Sequence, residues 1–367
     1  MTYAPATMRA ARLHAGPDGK AVLRLDTDVA VPSPAVDEVL IRVRACGLNQ
    51  VDLLTADGQT PQDVPLPHIS GTEVAGDIVA LGAGVTDWAT GARVVVDPII
   101  ACRHCENCLR GETNMCRNSR VFGVQTAGGY AEYAVAPARQ LLRLPETLDH
   151  AAAAALAVTG PTAWHMLRDR AKVVLGEDVL IIAAGSGIGV LGTQIAKAAG
   201  ARVIATAGGA DKMRKALDNG ADFAVDHNDP SWPGQVRHLT GGRGVDIVFE
   251  HVGQATWEGS LKALARGGRL VTCGGHSGFM VGFNLWHLFV KEQTLIGSFG
   301  GTRRDFLEVM RMAGQGNLRQ VVQQTFSLGD VAKAHDLLRQ RGVFGKLILD
   351  PTRPCPDRGG PDRAGLS

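Results

Sequence analysis

The sequence predicts an α/β protein of two domains, a strand-rich one followed by one built on a doubly wound parallel sheet. Three observations carry this expectation. The first 150 residues read as short strands with turn punctuation, an alanine-rich run beginning at Leu148 changes the texture, and apolar strands then alternate with helices. A chain of 367 residues, 45% of them hydrophobic, is long enough to bury two cores.

In the first half, EVLIRVRACG (38–47) alternates apolar and charged residues, as a half-buried strand requires. EVAGDIVALGAG (73–84) and GARVVVDP (91–98) repeat the pattern between glycine and proline breaks. AAAAALAVTGPTAWHML has helical texture, interrupted at Gly160-Pro161. DVLIIAA (178–184) then reads as a buried strand, VLGTQIAKAAG (190–200) as a helix ended by glycine, ARVIATA (201–207) as a second strand and DKMRKALDNG as its helix. FAVD, VDIVFEHV (245–252), GRLVTCGG (268–275) and TLIGSFGG (294–301) supply further strands. Such an alternation calls for a parallel sheet covered on both faces. RRDFLEVMRMAG is a helix from residue 303, and GKLILD is a last strand. The tail, 352–367, is rich in Pro, Gly and Arg without periodicity; it is expected to be disordered, with Cys355 an incidental exposed thiol.

Composition excludes several function classes. A net charge of +2, with 20% charged residues, leaves no basic stripe for nucleic acid. No apolar run reaches the roughly 18 residues that span a bilayer. MTYAPATMRAARLHAG lacks the charged head and apolar centre of a signal peptide. The expectation is a cytoplasmic protein without structural disulfides, acting on a small molecule.

After DVLIIAA comes AGSGIGVLG, containing Gly185, Ser186, Gly187, Ile188 and Gly189. Two overlapping fingerprints fit: Gly187-x-Gly189-x-x-Gly192, and the looser Ala184-x-Ser186-x-x-Gly189. Between a strand and a helix, small residues let backbone N–H groups approach a dinucleotide pyrophosphate. The second strand ends in GGADK, with no acid before Asp211 to bond a ribose 2′-hydroxyl. Gly208 and Gly209 leave room and Lys212 and Arg214 stand near, so NADP(H) is favoured over NAD(H); the plain alternative is that both cations solvate a helix.

CRHCENCLRGETNMC places Cys102, Cys105, Cys108 and Cys116 in a C-x2-C-x2-C-x7-C run. Four thiolates at this spacing close a tetrahedral zinc site with no open position. An iron–sulfur set has similar spacing, but its fourth cysteine is commonly followed by proline, and here Arg117 follows.

With PHISGTEVAG (67–76), GARVVVDP, GGYAEY (128–133), the glycine turn and the closing GKLIL, the cysteine lobe makes residues 8–350 resemble the medium-chain dehydrogenase/reductase superfamily, which includes zinc alcohol dehydrogenases and quinone oxidoreductases. The resemblance implies a GroES-like catalytic domain (1–160 and 303–351) with a zinc lobe at about 98–120, a Rossmann domain (161–302), and a cleft between them. It implies one structural zinc per chain and a homodimer or homotetramer assembled through TLIGSFGG.

The catalytic-zinc ligands of alcohol dehydrogenases depart. Asn49 stands for the Cys of G-x-C-x-x-D, Thr72 for the His of G-H-E, Val158 for the Cys four residues before Thr162, and Val51 for the proton-relay hydroxyl. Valine ligates nothing and neutral Asn and Thr are poor zinc donors, so no catalytic zinc is expected. Cys46 is expected to face the core. Zinc-free quinone and enoyl reductases of the superfamily carry G-x-N-x-x-D as here, which implies NADPH-dependent hydride transfer to a conjugated C=C, enone, enoyl thioester or quinone. Alternatives are carbonyl or alcohol dehydrogenation, and a non-redox enzyme or NADPH-binding protein. Asn49, Gln50 and Thr72 are candidate donors to the acceptor oxygen, Thr162 a nicotinamide neighbour, and Glu73 either a proton donor or a structural carboxylate. Leu54 replaces the tyrosine of many quinone oxidoreductases. The family's cofactor contacts fall on Val252, Gly253, Gly274, Gly275 and Ser298, and Lys346 is a candidate for the adenosine phosphate. Cys273 reads as a core residue, His68 as a rim residue and His165 as a packing histidine; Trp286, His287 and Phe289 line either the pocket or a subunit contact.

Overall fold

Glu38–Gly47 is the spine of the first body, a seven-stranded sheet in which it pairs with Glu73–Leu81, Tyr133–Pro137 and Lys346–Leu349. The computed structural model describes residues 4–17, 21–60 and 64–355. Val39, Ile41, Val43 and Cys46 pack with Val74, Ile78, Val94 and Val96 into one core, so Cys46 faces inward. The chain returns to this sheet only at its end, where Leu349 lies opposite Cys46 and Ile348 opposite Gly47. That register sets Lys346 beside the Leu48–Asn49 exit, with Leu48 N–H donating to the Leu347 carbonyl.

The second body is a six-stranded parallel sheet in the order Phe223–Asp226, Arg202–Ala207, Asp178–Ile181, Val245–Glu250, Leu264–Thr272, Thr294–Gly297. Its strands are apolar on both faces: Val179, Ile181, Val203, Ile247 and Phe249 enter one core, and Leu180, Ile182, Ile204, Val248 and Leu270 the other. Strand order reverses beside Asp178–Ile181, which is where such sheets open a ligand crevice. Among the described residues no helix is long and apolar enough to cross a membrane.

Two expectations need correction. The helical run breaks at Ala157–Val158, between His150–Leu156 and Thr159–Trp164, not at Gly160-Pro161. Pro161 sits in the first turn of its helix, where an N–H has no intrahelical partner to lose, and the helix continues into the wide turn His165–Arg170. The tail begins later than expected. Thr352 N–H donates to Asp350, Arg353 donates to the Thr325 carbonyl at 2.7 Å, and the half-buried Cys355 accepts from Arg9 at 3.4 Å, so Cys355 is a packed thiol. The rest of that tail, 356–367, lies outside the described residues.

Candidate active site

Asn49 ends the spine strand and caps the helix Gln50–Ala56, its backbone N–H donating to Asp52 at 2.7 Å. The Lys346 ammonium donates to Asn49 Oδ1 at 2.7 Å and to the Leu48 carbonyl. That contact fixes the amide's orientation, and Nδ2 donates to Thr72 Oγ1 at 3.1 Å. One N–H of Asn49 is left uncommitted. Thr72 is fully enclosed behind Asn49, while Asn49 keeps a sliver of surface (8%). Gln50, half-buried next door, has an amide with no partner among the described residues.

Glu73 is the counter-charge. Its Oε1 accepts from the Val158 and Thr159 N–H groups at 2.8 and 3.2 Å, at the start of the helix Thr159–Trp164. Oε2 lies 2.9 Å from the Lys346 ammonium, an ion pair set off the ideal hydrogen-bond direction. Gly47 makes room, since a Cβ there would fall 2.1 Å from Oε2. Burial pushes the Glu73 carboxyl up and Lys346 pulls it down. With both oxygens engaged and no exposure, Glu73 is a structural carboxylate and not the expected alternative, a proton donor. Lys346 is likewise corrected: its ammonium serves Glu73 and Asn49, not an adenosine phosphate.

A second buried carboxylate sits beside this pair. Asp52 Oδ2 accepts from Tyr130 Oη at 3.1 Å, and that hydroxyl also meets His335 Nε2 at 3.2 Å. Asp52 Oδ1 has no hydrogen-bond partner among the described residues, and burial raises the group to about 7. The Asn49 N–H and the Lys346 charge oppose that rise, and the Glu73 charge adds to it. Tyr130 and His335 escaped the sequence reading; Tyr130 lies in the quoted GGYAEY, whereas nothing local signals His335.

Thr162 is buried and its hydroxyl donates to the Val158 carbonyl at 2.6 Å. Ser186 caps the helix Gly187–Ala198 by accepting from Gly189 N–H at 2.9 Å, and a Cβ on Gly189 would fall 2.6 Å from the Ala183 carbonyl. Of the two fingerprints, the Ser186–Gly189 pairing is thus the one that shapes the turn. Ile188 follows on the helix, packed against the large core. The turn abuts the Asn49 network: the Lys346 stem lies over Gly187, and Gln320 bridges the Gly187 carbonyl and Thr159 Oγ1 at 2.8 and 3.2 Å. Glu250 accepts from the Val252 and Gly253 N–H groups, and a Gly253 Cβ would fall 2.8 Å from Gly275 Cα, with Gly274 adjoining. Ser298 N–H donates to the Thr272 carbonyl, and its buried hydroxyl has no partner among the described residues. Burial drives Cys273 up to about 12, as a core thiol. Gly208 and Gly209 separate Ala207 from the helix Ala210–Asp218, on which Lys212 lies; Arg214 is taken by Asp211.

His68 is buried on a short strand and meets the Gly123 carbonyl at 3.1 Å, so it is no rim residue. His165 is more than a packing residue. It contacts Asp305 at 2.9 Å, Asp169 at 3.3 Å and Asn114 of the cysteine lobe at 3.3 Å. Trp286, His287 and Phe289 stand exposed on the helix Leu285–Val290.

The four cysteine sulfurs converge within 4.8 Å of one another, with Cys102–Cys108 at 4.0 Å and Cys105–Cys116 at 3.9 Å. A tetrahedral zinc with Zn–S of about 2.3 Å needs sulfurs about 3.8 Å apart, so the quartet fits. Backbone N–H groups favour the thiolates: Cys105 N–H points at Cys102 Sγ, and Cys102 N–H at Cys116 Sγ.

Residues 187–315 match the zinc-binding dehydrogenase family, and residues 35–146 the alcohol dehydrogenase GroES-like domain. The quinone oxidoreductase of Rattus norvegicus is 32% identical over 339 residues, covering 90% of this chain and 94% of that protein. A crystal structure of an NAD-dependent alcohol dehydrogenase is 41% identical with a TM-score of 0.89, covering 94% of this chain and 99% of the other. A 2-octenoyl-CoA carboxylase reductase in complex with NADP and 2-octenoyl-CoA is 27% identical with a TM-score of 0.83, covering 96% and 90%.

Proposed function

The chain belongs to the medium-chain dehydrogenase/reductase superfamily, and from that premise we propose that it is an NADPH-dependent reductase of conjugated C=C acceptors, enones, enoyl thioesters or quinones, working without a catalytic metal. One observation carries the reading. The positions that hold catalytic zinc in alcohol dehydrogenases are Asn49, Thr72 and Val158, and two of their polar groups are tied into a network centred on Lys346. An ammonium and an amide suit an acceptor that delocalises its own charge onto oxygen; an unactivated alcohol needs a Lewis acid.

When bound in the cleft, the nicotinamide supplies the hydride. The chain binds and orients: Gly185–Gly189 cradle the pyrophosphate, Val252, Gly253, Gly274, Gly275 and Ser298 line the nicotinamide ribose side, and Thr162 stands beside the ring. The free N–H of Asn49 and the Gln50 amide donate to the acceptor oxygen, with Thr72 as a positioning residue. Lys212, beyond Gly208 and Gly209, favours NADPH. The cysteine quartet holds one structural zinc. We also assign 1–160 with 303–351 to the catalytic domain and 161–302 to the cofactor domain. The exposed edge strand Thr294–Gly297 is assigned to a homodimer or homotetramer contact.

The 41% identical structure favours a second reading, alcohol or carbonyl dehydrogenation. Metal analysis joined to an NADPH-oxidation screen over enones, enoyl thioesters and quinones tests both. One zinc per chain with NADPH consumption is expected. Two zincs with alcohol oxidation would favour the dehydrogenase, and no consumption across the panel would favour a non-redox protein.

A further inference from the structure

Glu250 ends the strand Val245–Glu250 with no exposed surface, and its carboxylate collects five donors. Oε1 accepts from three consecutive backbone N–H groups, those of His251, Val252 and Gly253, at 2.8, 2.6 and 3.1 Å. Oε2 accepts from the hydroxyls of Thr256 and Ser260 at 2.9 and 2.7 Å, both on the next helix, Gln254–Ala263. No cation pairs with this carboxylate among the described residues. A carboxylate is costly to bury unless donors surround it, so these bonds hold strand end, turn and helix start in one geometry.

The turn fixed in this way carries a second loop. The Val252 carbonyl accepts from the Ser277 N–H and hydroxyl at 2.9 and 2.8 Å, and Ser277 Oγ accepts in turn from Ala255 N–H at 2.9 Å. Gln254 N–H donates to the Gly278 carbonyl at 3.2 Å. Gly253 takes φ +91°, where a side chain is strained, and a Cβ there would fall 2.6 Å from that same carbonyl. Gly274 packs almost as closely, the place of its Cβ lying 2.8 Å from the His251 carbonyl. Val252–Gly253 and Gly274–Gly275, assigned above to the nicotinamide ribose side, therefore rest on one fully buried carboxylate.

We propose that Glu250 is a positioning residue for the nicotinamide half of the cofactor, acting through the two loops it anchors. The inference rests on the dinucleotide reading above and adds a residue outside the glycine fingerprint. With three N–H groups turned inward to Oε1, this turn has none of them left to donate to a phosphate. The pyrophosphate is then held at the Gly185–Gly189 turn, and Glu250 governs the ring and its sugar. Binding of the adenosine half is indifferent to it.

The test measures dissociation constants by calorimetry for the full chain, Glu250→Ala and Glu250→Gln. The ligands are NADPH, NADH and the adenosine fragment, adenosine 2′,5′-bisphosphate (AMP should NADH be the preferred cofactor). Glu250→Ala leaves the turn's N–H groups without their acceptor and should weaken the dinucleotide roughly ten- to a hundredfold, the fragment by less than about threefold. Glu250→Gln keeps Oε1 for the N–H groups and turns its amide to two hydroxyls that accept as well as donate, so it should bind within about threefold of wild type. Thr256→Val combined with Ser260→Ala, which frees Oε2, serves if Glu250→Ala fails to fold, and should show the same split. Equal losses of fragment and dinucleotide, undiminished dinucleotide binding by Glu250→Ala, or a Gln variant no better than Ala would overturn the role of Glu250 and leave the cofactor reading standing. A wild-type chain that binds neither NADPH nor NADH would remove that reading and the inference with it.

Discussion

Lys346 holds the cleft together as a single buried cation between two carboxylates and an amide. Lys346→Met leaves Glu73 charged and unpaired, which should cost on the order of 3–5 kcal/mol in chemical denaturation. The double variant Lys346→Met/Glu73→Gln should recover most of that loss; if it does not, the pair is not the source. Asp52 makes a pH prediction. The folded chain keeps its proton up to about 7, against an ordinary value of 3.8, so folding takes up a proton between those limits. This group therefore weakens the fold progressively from about pH 4 to 7, and its cost is complete above 7. Asp52→Asn should gain stability over wild type at pH 8, by on the order of a few kcal/mol, and little at pH 4. Melting curves at both values check it.

Among elements, the cysteine lobe is more than a surface appendage. Asn114 reaches His165 and the Phe299 carbonyl, and Thr113 Oγ1 accepts from Arg303 N–H at the start of the helix Arg303–Gly314. His165 in turn meets Asp305, the third residue of that helix, whose carboxylate accepts from the N–H of the capping Thr302. Zinc removal should therefore loosen the helix start as well as the lobe. Hydrogen exchange should rise at 303–306 after chelation, and Cys116→Ser should lower both the zinc content and the melting temperature. Exchange confined to 102–116 would count against this coupling. The break at Ala157–Val158 follows similar logic: Glu73, from another strand, accepts from the two N–H groups at the new helix start.

For the whole molecule, the parallel sheet ends in an uncovered strand. Thr294–Gly297 has no buried residue, and Phe299 just after it and Phe279, Met280, Trp286 and Phe289 in the stretch before it stand exposed. An open strand edge with aromatic neighbours is a template for a second chain. Sedimentation should find the wild type assembled, and Ile296→Lys combined with Trp286→Glu should shift it toward monomer; an unchanged profile would place the contact elsewhere.

The spine strand with its neighbours Glu73–Leu81 and Arg93–Val96, the parallel strands, the glycine turn and the cysteine quartet were legible because each is written in a short stretch, as a period of two, an apolar run, a run of small residues or a ligand spacing; Tyr133–Pro137, Leu141–Arg143 and Val322–Phe326 were not. Asn49 and Thr72 were legible as departures from a pattern, though only the folded chain shows that Thr72 lies enclosed behind Asn49. Lys346 and Tyr130 stood in quoted motifs with no sign of the partners they meet, and His335 had no local signature. Lys346 and Asn49 are 297 residues apart and meet because the last strand pairs with the spine in one register. A local pattern records which face a side chain takes; which distant charge it meets is decided by strand pairing and burial, and these exist only in the folded chain.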